Sequence, residues 1–337
     1  MKKYYPLLDL GKFICALLIV ALHSPRSTNI IIRSVIIDTF AYYAVPFFFA
    51  TSSFLYFSRI QTRQNLWKYI KRLGLLYIIW LIINLPIIFY CDYWIEDRNF
   101  TNFCYIFFNK IILGISYHGS WYISASIKSV LIIYILSKWV NNFWLFIISL
   151  SMFLLFTTTH YYSVFFPVSY LNIMMPIIDV FSPIGTSTYL AVIFVILGKI
   201  IAENNLVLNK IPCYILSFSL LFFIILGFIE IFTMKYINGE TYTGYYMSIY
   251  IIIPLLIIYL KKQDVKQAII YKVLRRQSTF IFFVHFILLF FYGGAKNHNI
   301  LDLSPHIVYF LIVFISMLLC ELTYTLSKKY IYLKYLF

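Results

Sequence analysis

Apolar residues in this 337-residue chain fall into repeated runs separated by short polar segments. A helix of about twenty residues, rising 1.5 Å per residue, crosses the roughly 30 Å hydrocarbon core of a bilayer. Membrane strands would instead alternate apolar and polar positions over about ten residues. The pattern therefore predicts an all-α polytopic membrane protein with about ten transmembrane helices. They lie near 7–24, 35–57, 72–90, 121–138, 142–158, 186–202, 212–231, 244–260, 278–294 and 305–326.

Cationic side chains are concentrated at the termini and in every second loop. They include Lys2, Lys3, Arg59, Arg63, Lys68, Lys71, Arg72, Lys261, Lys262, Lys266, Lys272, Arg275, Arg276, Lys328 and Lys329. The intervening loops carry more acids, among them Asp92, Glu96, Asp97 and Asp302. The positive-inside rule then predicts that both termini are cytoplasmic. The longest outer loops, near 91–120 and 159–185, are too short for a second folded domain, so one domain is expected over 1–337.

Composition supports this class. Hydrophobic residues make up 62% of the chain and charged residues 12%, whereas soluble domains are about half apolar and a quarter charged. A net charge of +15 would suggest a nucleic-acid partner in a soluble protein. Here the positive-inside rule accounts for it, so the expected partner is the lipid bilayer and not nucleic acid. We expect a multi-pass protein of the cell (plasma or inner) membrane.

The first predicted helix carries three ionisable residues, Asp9, Lys12 and His23. Such groups in hydrocarbon are costly and mark functional sites by default. Lys12 and His23 are eleven residues apart, about three turns, which puts them on one face roughly 16 Å apart. A secretory signal peptide is the alternative, but no small-x-small cleavage site follows. The face is therefore interpreted as the lining of a pore or a ligand channel.

Polar residues also interrupt the second span, where Thr51, Ser52 and Ser53 form a step inside an aromatic run. Hydroxyl residues often serve close helix packing in membranes, which is the alternative to a functional role. A basic cluster follows on the cytoplasmic side, formed by Lys68, Lys71 and Arg72. It is either an ordinary topogenic patch or a binding site for phosphates.

Further ionisable residues lie inside predicted spans. Lys128 needs a partner, for which Asp38 and Glu230 are the candidates. The ninth span contains Ser278 and His285, and Glu321 in the last span is expected to pair with His285 or with Lys12.

Several of these segments resemble the membrane acyltransferase-3 family. A basic residue and a histidine with ten residues between them, here Lys12 and His23, resemble its first-helix signature, although arginine is more usual than lysine. Asp9 also matches. Residues 46–55, PFFFATSSFL, resemble a Phe-Phe-x-x-Ser-Gly-Tyr segment, with Ser52 at the serine and Ser53 in place of glycine.

Later segments continue the resemblance in the family's order. Trp121-Tyr122-Ile123 resembles a Trp-Phe/Tyr-Leu start of a span, and residues 194–198, FVILG, resemble a Phe-x-x-Leu-Gly step without the arginine often found upstream. Residues 278–285 resemble a Ser-Phe-x-x-Tyr-Leu-x-His segment, with Phe282 replacing the tyrosine.

The resemblance implies a ten-helix enzyme that transfers an acyl group, commonly acetyl, from cytosolic acyl-CoA to a carbohydrate. The chain is similar to bacterial O-acetyltransferases that act on capsular polysaccharide or exopolysaccharide. Acetyl-CoA is then the donor, and neither a permanently bound cofactor nor a metal is expected.

The expected mechanism assigns a role to each candidate residue. His23 acts as general base, because imidazole titrates near neutral pH. Asp9 orients Lys12, and Ser52 is an oxyanion donor or an acyl relay. The CoA phosphates are expected at Lys12, Lys68, Lys71 and Arg72. Contacts with substrate are expected from Trp121, Ser278 and His285.

Two other functions share this architecture. A transporter or flippase for a saccharide or a lipid-linked intermediate would use Asp9, Lys12 and His23 as a proton relay. A polysaccharide polymerase would need a larger outer loop than this sequence offers.

Overall fold

The computed structural model describes residues 4–26, 37, 39–181, 186–239 and 244–337. Within these ranges the chain forms α-helices with a few short 3₁₀ and π turns, and no strand. The prediction of an all-α polytopic membrane protein is confirmed. The helices are α1 (Pro6–His23), α2 (Tyr42–Phe57), α3 (Arg63–Phe89), α4 (Phe100–Leu113), α5 (Ser120–Leu136), α6 (Asn142–His160), α7 (Val168–Phe181), α8 (Thr186–Glu203), α9 (Asn205–Leu208), α10 (Cys213–Asn238), α11 (Ile249–Lys262), α12 (Ile269–Asn297) and α13 (Pro305–Ser327).

Each of the ten predicted spans overlaps one of these helices. Seven segments of the described chain are long and apolar enough to cross a membrane: Pro6–His23, Thr39–Phe57, Arg63–Ile95, Asn142–His160, Cys213–Asn238, Ile269–Asn297 and Pro305–Ser327. The predicted spans near 121–138 and 244–260 form the shorter helices α5 and α11.

The two long outer loops, near 91–120 and 159–185, contain the helices α4 and α7. The Asn99 side chain accepts a hydrogen bond from the Asn102 backbone N–H at the start of α4. Gly114 ends this helix in the left-handed conformation, at φ 77°, which glycine adopts without steric cost. Fourteen residues extend about 21 Å, too short to cross the hydrocarbon core. Short apolar helices of this kind escape a search for spans of membrane length.

Helices α2 and α8 pack closely at the centre of the bundle. The Ser53 hydroxyl donates a hydrogen bond to the Val195 carbonyl oxygen, at 2.6 Å. A Cβ atom added to Gly198 would lie 2.4 Å from the Ala50 carbonyl oxygen and 2.8 Å from the Phe54 nitrogen. Ser53 and the FVILG segment therefore serve packing, which was the alternative interpretation of the polar step in the second span.

We expect Gly198→Ala to destabilise the protein, because its methyl group would meet backbone atoms that cannot move independently of α2. Overpacking of this kind costs about 1–3 kcal/mol. The measurement is the thermal unfolding midpoint in detergent, which should fall by several degrees. Gly74→Ala on α3 is the control, because nothing lies within 4 Å of the added Cβ and alanine favours helix more than glycine. Equal midpoints for the two variants would contradict the close packing of α2 and α8.

Helices α1 and α12 lie side by side and run in the same direction. Near the start of each helix, the Asp9 carboxylate lies 3.9 Å from the Arg275 guanidinium. Further along both helices, the rings of His23 and His285 are 5.6 Å apart between centroids. The two helices α1 and α12 therefore carry both ends of the candidate site, the charged end at Asp9 and Arg275 and the histidine end at His23 and His285.

Candidate active site

A cluster of three cations and one carboxylate lies where α1, α3 and α12 meet. Lys12 interacts electrostatically with Asp9, Arg72 and Arg275. The Asp9 carboxylate is buried, and its Oδ2 atom is 3.9 Å from Arg275 Nη1. One carboxylate does not neutralise three cations, so the cluster keeps a net positive charge. Such a group is suited to binding a phosphate.

Of the three cations predicted on α3, the structure joins only Arg72 to this cluster within the described residues. Lys68 and Lys71 are exposed to solvent on the same helix. Arg275 was not predicted as a site residue. The sequence nevertheless contained an indication, since Arg275 precedes His285 by ten residues, close to the spacing of eleven between Lys12 and His23.

Tyr4 lies next to the cluster, just before α1 begins. Its phenol interacts with the Asp9 carboxylate, and burial together with that negative charge raises the pKa of Tyr4 to about 12. The phenol therefore stays protonated at neutral pH. Asp9 is thus placed between the phenol of Tyr4 and the cations of Lys12 and Arg275.

Ser52 and Tyr122 form a pair of polar side chains inside the bundle. The Tyr122 side chain interacts with Ser52 and Ser126 and lies in the electrostatic field of Arg72. Its ring packs against Phe282 on α12, with centroids 5.2 Å apart. Phe282 in turn contacts His285, at 6.5 Å between centroids. Tyr122 and Phe282 therefore connect the cation cluster with the histidines.

Three histidines surround the ring of Phe286 at the far end of the site. The centroid distances to Phe286 are 4.6 Å for His23, 5.1 Å for His118 and 4.0 Å for His285. His118 belongs to the turn between α4 and α5 and was not predicted. It could not be found from helical spacing, because it lies outside the helices. Among the described residues, no three His, Cys, Asp or Glu side chains form a group that could hold a metal ion.

The hydrogen bonding of His285 fixes its tautomer. Nδ1 lies 2.9 Å from the carbonyl oxygen of Ile281. A carbonyl only accepts, so in the neutral ring Nδ1 carries the proton and Nε2 keeps its lone pair. Nε2 is buried and has no hydrogen-bond partner among the described residues. An acceptor nitrogen is therefore available beside His23.

The other two predicted contact residues are Ser278 and Trp121. Ser278 is buried and donates to the Arg275 carbonyl oxygen at 2.8 Å. It precedes His285 by seven residues, about 10 Å along the helix, so it lies at the charged end instead. Trp121 is half-buried against Phe49, with ring centroids 6.4 Å apart.

Glu321 has partners other than the expected ones. Its carboxylate accepts from Arg276 at 2.6 and 2.7 Å and from Gln277 at 3.0 Å. The pairing of Glu321 with His285 is wrong, because His285 lies more than two turns further along α12 and bonds to Ile281. The carboxylate instead joins α13 to the start of α12.

Lys128 donates to the Leu113 carbonyl oxygen at 3.0 Å. Glu230 accepts from the Tyr162 hydroxyl and from the backbone N–H groups of Met247 and Ser248, at 2.8 and 3.0 Å. Asp38, the other candidate partner of Lys128, lies outside the described residues.

Comparison with known proteins identifies the family of this chain. A sequence model described as an acyltransferase domain matches residues 5–325. An amino-acid racemase of Enterococcus faecalis is 31% identical over 209 residues, which are 59% of this chain and 28% of that protein. The chain thus spans less than a third of this relative. No solved structure matches. Because the acyltransferase domain covers nearly the whole chain, including every residue of the cation and histidine clusters, this protein belongs to the membrane acyltransferase-3 family.

Proposed function

We propose that this acyltransferase moves an acetyl group from cytosolic acetyl-CoA to a hydroxyl of a cell-surface carbohydrate. The acceptor is a capsular polysaccharide, an exopolysaccharide or a precursor of one, and the protein lies in the plasma (inner) membrane. One observation carries the proposal: the cation cluster and the histidine cluster occupy opposite ends of the α1–α12 pair. Their separation follows from the rise between Lys12 and His23, about 16 Å.

The charged end binds the donor. The diphosphate of CoA lies among Lys12, Arg72 and Arg275, where charge-assisted hydrogen bonds are strongest. Asp9 holds Lys12 and Arg275 in place, as the 3.9 Å contact to Arg275 supports. The pantetheine arm then extends along α1 and brings the thioester between Ser52 and the histidines.

The histidine end performs the proton transfers. His23 takes the proton from the acceptor hydroxyl as its oxygen attacks the thioester carbonyl carbon. When the tetrahedral intermediate collapses, the new C–O bond remains, the C–S bond breaks, and the proton passes from His23 to the leaving thiolate. Nε2 of His285 has no hydrogen-bond partner among the described residues. During the reaction this nitrogen is the acceptor that orients the ring of His23.

Ser52 acts as a hydrogen-bond donor to the developing oxyanion. Its contact with Tyr122 favours this role over that of a covalent acyl carrier, because a phenol is not a base that would activate the hydroxyl. The proposed transfer is therefore direct.

The experiment is a comparison of O-acetyl signals by NMR on the surface polysaccharide of the host. A deletion strain is complemented either with wild type or with the His23→Ala variant. We expect the signals to vanish on deletion and to return with wild type alone. Unchanged acetylation together with a smaller amount of surface polymer would contradict the proposal and favour export.

A further inference from the structure

A polar cavity of about 330 Å³ lies between the start of α1 and the end of α11. Ligand-binding cavities in proteins begin at about this size. Its polar lining comprises two phenols, two ammonium groups, two amides and a carboxylate, from Tyr4, Tyr5, Lys261, Lys262, Gln263, Gln267 and Asp264. None of the roles described above uses this cavity.

The cavity adjoins the cation cluster. Tyr4 lines the cavity and also interacts with Asp9 and Arg275. Along α1, Pro6 at the cavity precedes Lys12 by six residues, about 9 Å, and Lys12 precedes His23 by about 16 Å. The cavity, the cations and the histidines therefore follow one another along a single helix.

Both lysines of the cavity are held by neighbouring segments. Lys261 donates to the side-chain oxygen of Asn205 at 2.6 Å. Lys262 donates to the carbonyl oxygens of Asn209, at 2.9 Å, and of Ile211. An ammonium group has three N–H donors. In the described part of the chain, these carbonyls engage two donors of Lys262, so the third is available to a ligand.

We propose that this cavity binds the nucleotide end of acyl-CoA, the adenosine 3′-phosphate, a role that rests on the function proposed above. CoA carries its 3′-phosphate nucleotide, its diphosphate and its thioester in that order, the same order as the cavity, the cations and the histidines along α1. The 3′-phosphate lies against Lys262 and Lys261. The purine packs on the phenol rings of Tyr4 and Tyr5, which offer flat apolar faces with polar tips.

The carboxylate of Asp264 favours a nucleoside over a simple anion. A negative charge in the lining repels phosphate or sulfate. A ribose hydroxyl or a purine amino group, by contrast, donates a hydrogen bond to a carboxylate. The amide of Gln263 provides both a donor and an acceptor for the base. A ligand with one anionic end and several neutral donors matches this mixed lining.

The test compares two donors, acetyl-CoA and acetyl-pantetheine, of which the second lacks the nucleotide. We expect Lys262→Ala to raise the KM for acetyl-CoA about tenfold, the value of one charge-assisted hydrogen bond, and the KM for acetyl-pantetheine far less. Adenosine 3′,5′-bisphosphate should compete with acetyl-CoA in wild type and more weakly in the variant. Lys266→Ala is the matched control, since this exposed lysine of the same segment does not line the cavity.

A second variant, Val265→Trp, fills the cavity and should have the same selective effect. Turnover of acetyl-pantetheine shows that each variant is folded. The inference is overturned if wild type uses acetyl-CoA and both variants have the same ratio of the KM for acetyl-pantetheine to the KM for acetyl-CoA as wild type. In that case the function proposed above still stands. If wild type accepts neither thioester, both fail together.

Discussion

Replacing His23 with alanine is expected to lower the rate of acyl transfer by a factor of about 10²–10⁴, the usual contribution of a general base. His23 is the residue that α1 contributes to the histidine cluster, and its ring lies beside the rings of His285 and Phe286. Without it, the acceptor hydroxyl has no base on α1 to take its proton. The measurement is single-turnover transfer from radiolabelled acetyl-CoA to the host polysaccharide, with purified protein in lipid nanodiscs.

Binding of the donor provides the internal control for this variant. The Kd for acetyl-CoA should stay within about twofold of wild type, because the phosphate-binding cations lie roughly 16 Å away along α1. His160→Ala is the matched histidine control, since His160 stacks on Phe156 at the end of α6 and is separate from the cluster. Full transfer by the His23→Ala protein would refute the proposed role of His23.

Replacing Lys12 with alanine should raise the KM for acetyl-CoA about 10- to 100-fold. Lys12 is the cation that interacts with both arginines and with Asp9, so its loss removes a charge-assisted contact worth about 1.5–3 kcal/mol. Each 1.4 kcal/mol corresponds to a factor of about ten in affinity. Titration of the donor in the transfer assay gives KM, and calorimetry with CoA gives the binding constant independently.

Two sets of controls separate position from charge. Lys12→Arg keeps the charge, and the family resemblance suggests that arginine is accepted there. Lys68→Ala and Lys71→Ala remove the same charge from exposed positions on α3, and we expect a much smaller effect from each. If Lys71→Ala weakened binding of the donor as much as Lys12→Ala, the phosphates would be bound by a diffuse surface potential and not by the cation cluster around Asp9.

The transmembrane helices could be predicted because their length is fixed by the bilayer. Apolar runs near 7–24, 278–294 and 305–326 correspond to α1, α12 and α13 within a few residues at one end or both. Helix α12 begins nine residues before its apolar run, at Ile269, because its first turns are basic and project beyond the hydrocarbon. Hydropathy detects the part of a helix that lies in the hydrocarbon core but not the residue at which the helix begins.

Pairings between helices could not be predicted in the same way. The positions of Lys12 and His23 on one face follow from the helical repeat. The proximity of Arg72, Arg275 and His285 depends on which helices are neighbours, and a single sequence does not contain that information. Glu321 illustrates the problem, because two partners fitted its predicted depth and the structure gives it a third, Arg276.

His118 shows a different limit. It stands in a turn whose next residue, Gly119, has a φ of +87°, a conformation that favours glycine. A Cβ at Gly119 would lie 3.3 and 3.4 Å from the rings of Phe282 and Phe286. The close approach of this turn to α12 carries the imidazole to the cluster, and no periodic pattern marks such a contact.

The pairing of α1 with α12 has a consequence for biosynthesis. The two halves of the site are separated by about 260 residues of sequence, so the ribosome completes α1 long before α12 exists. A nascent chain that ends at α11 already holds Lys12 and His23 but lacks Arg275 and His285. The site is therefore completed only when the ninth span inserts beside the first, late in translation. The proposed donor, acyl-CoA, requires the completed site and is therefore expected to stabilise the finished bundle over every partly inserted form.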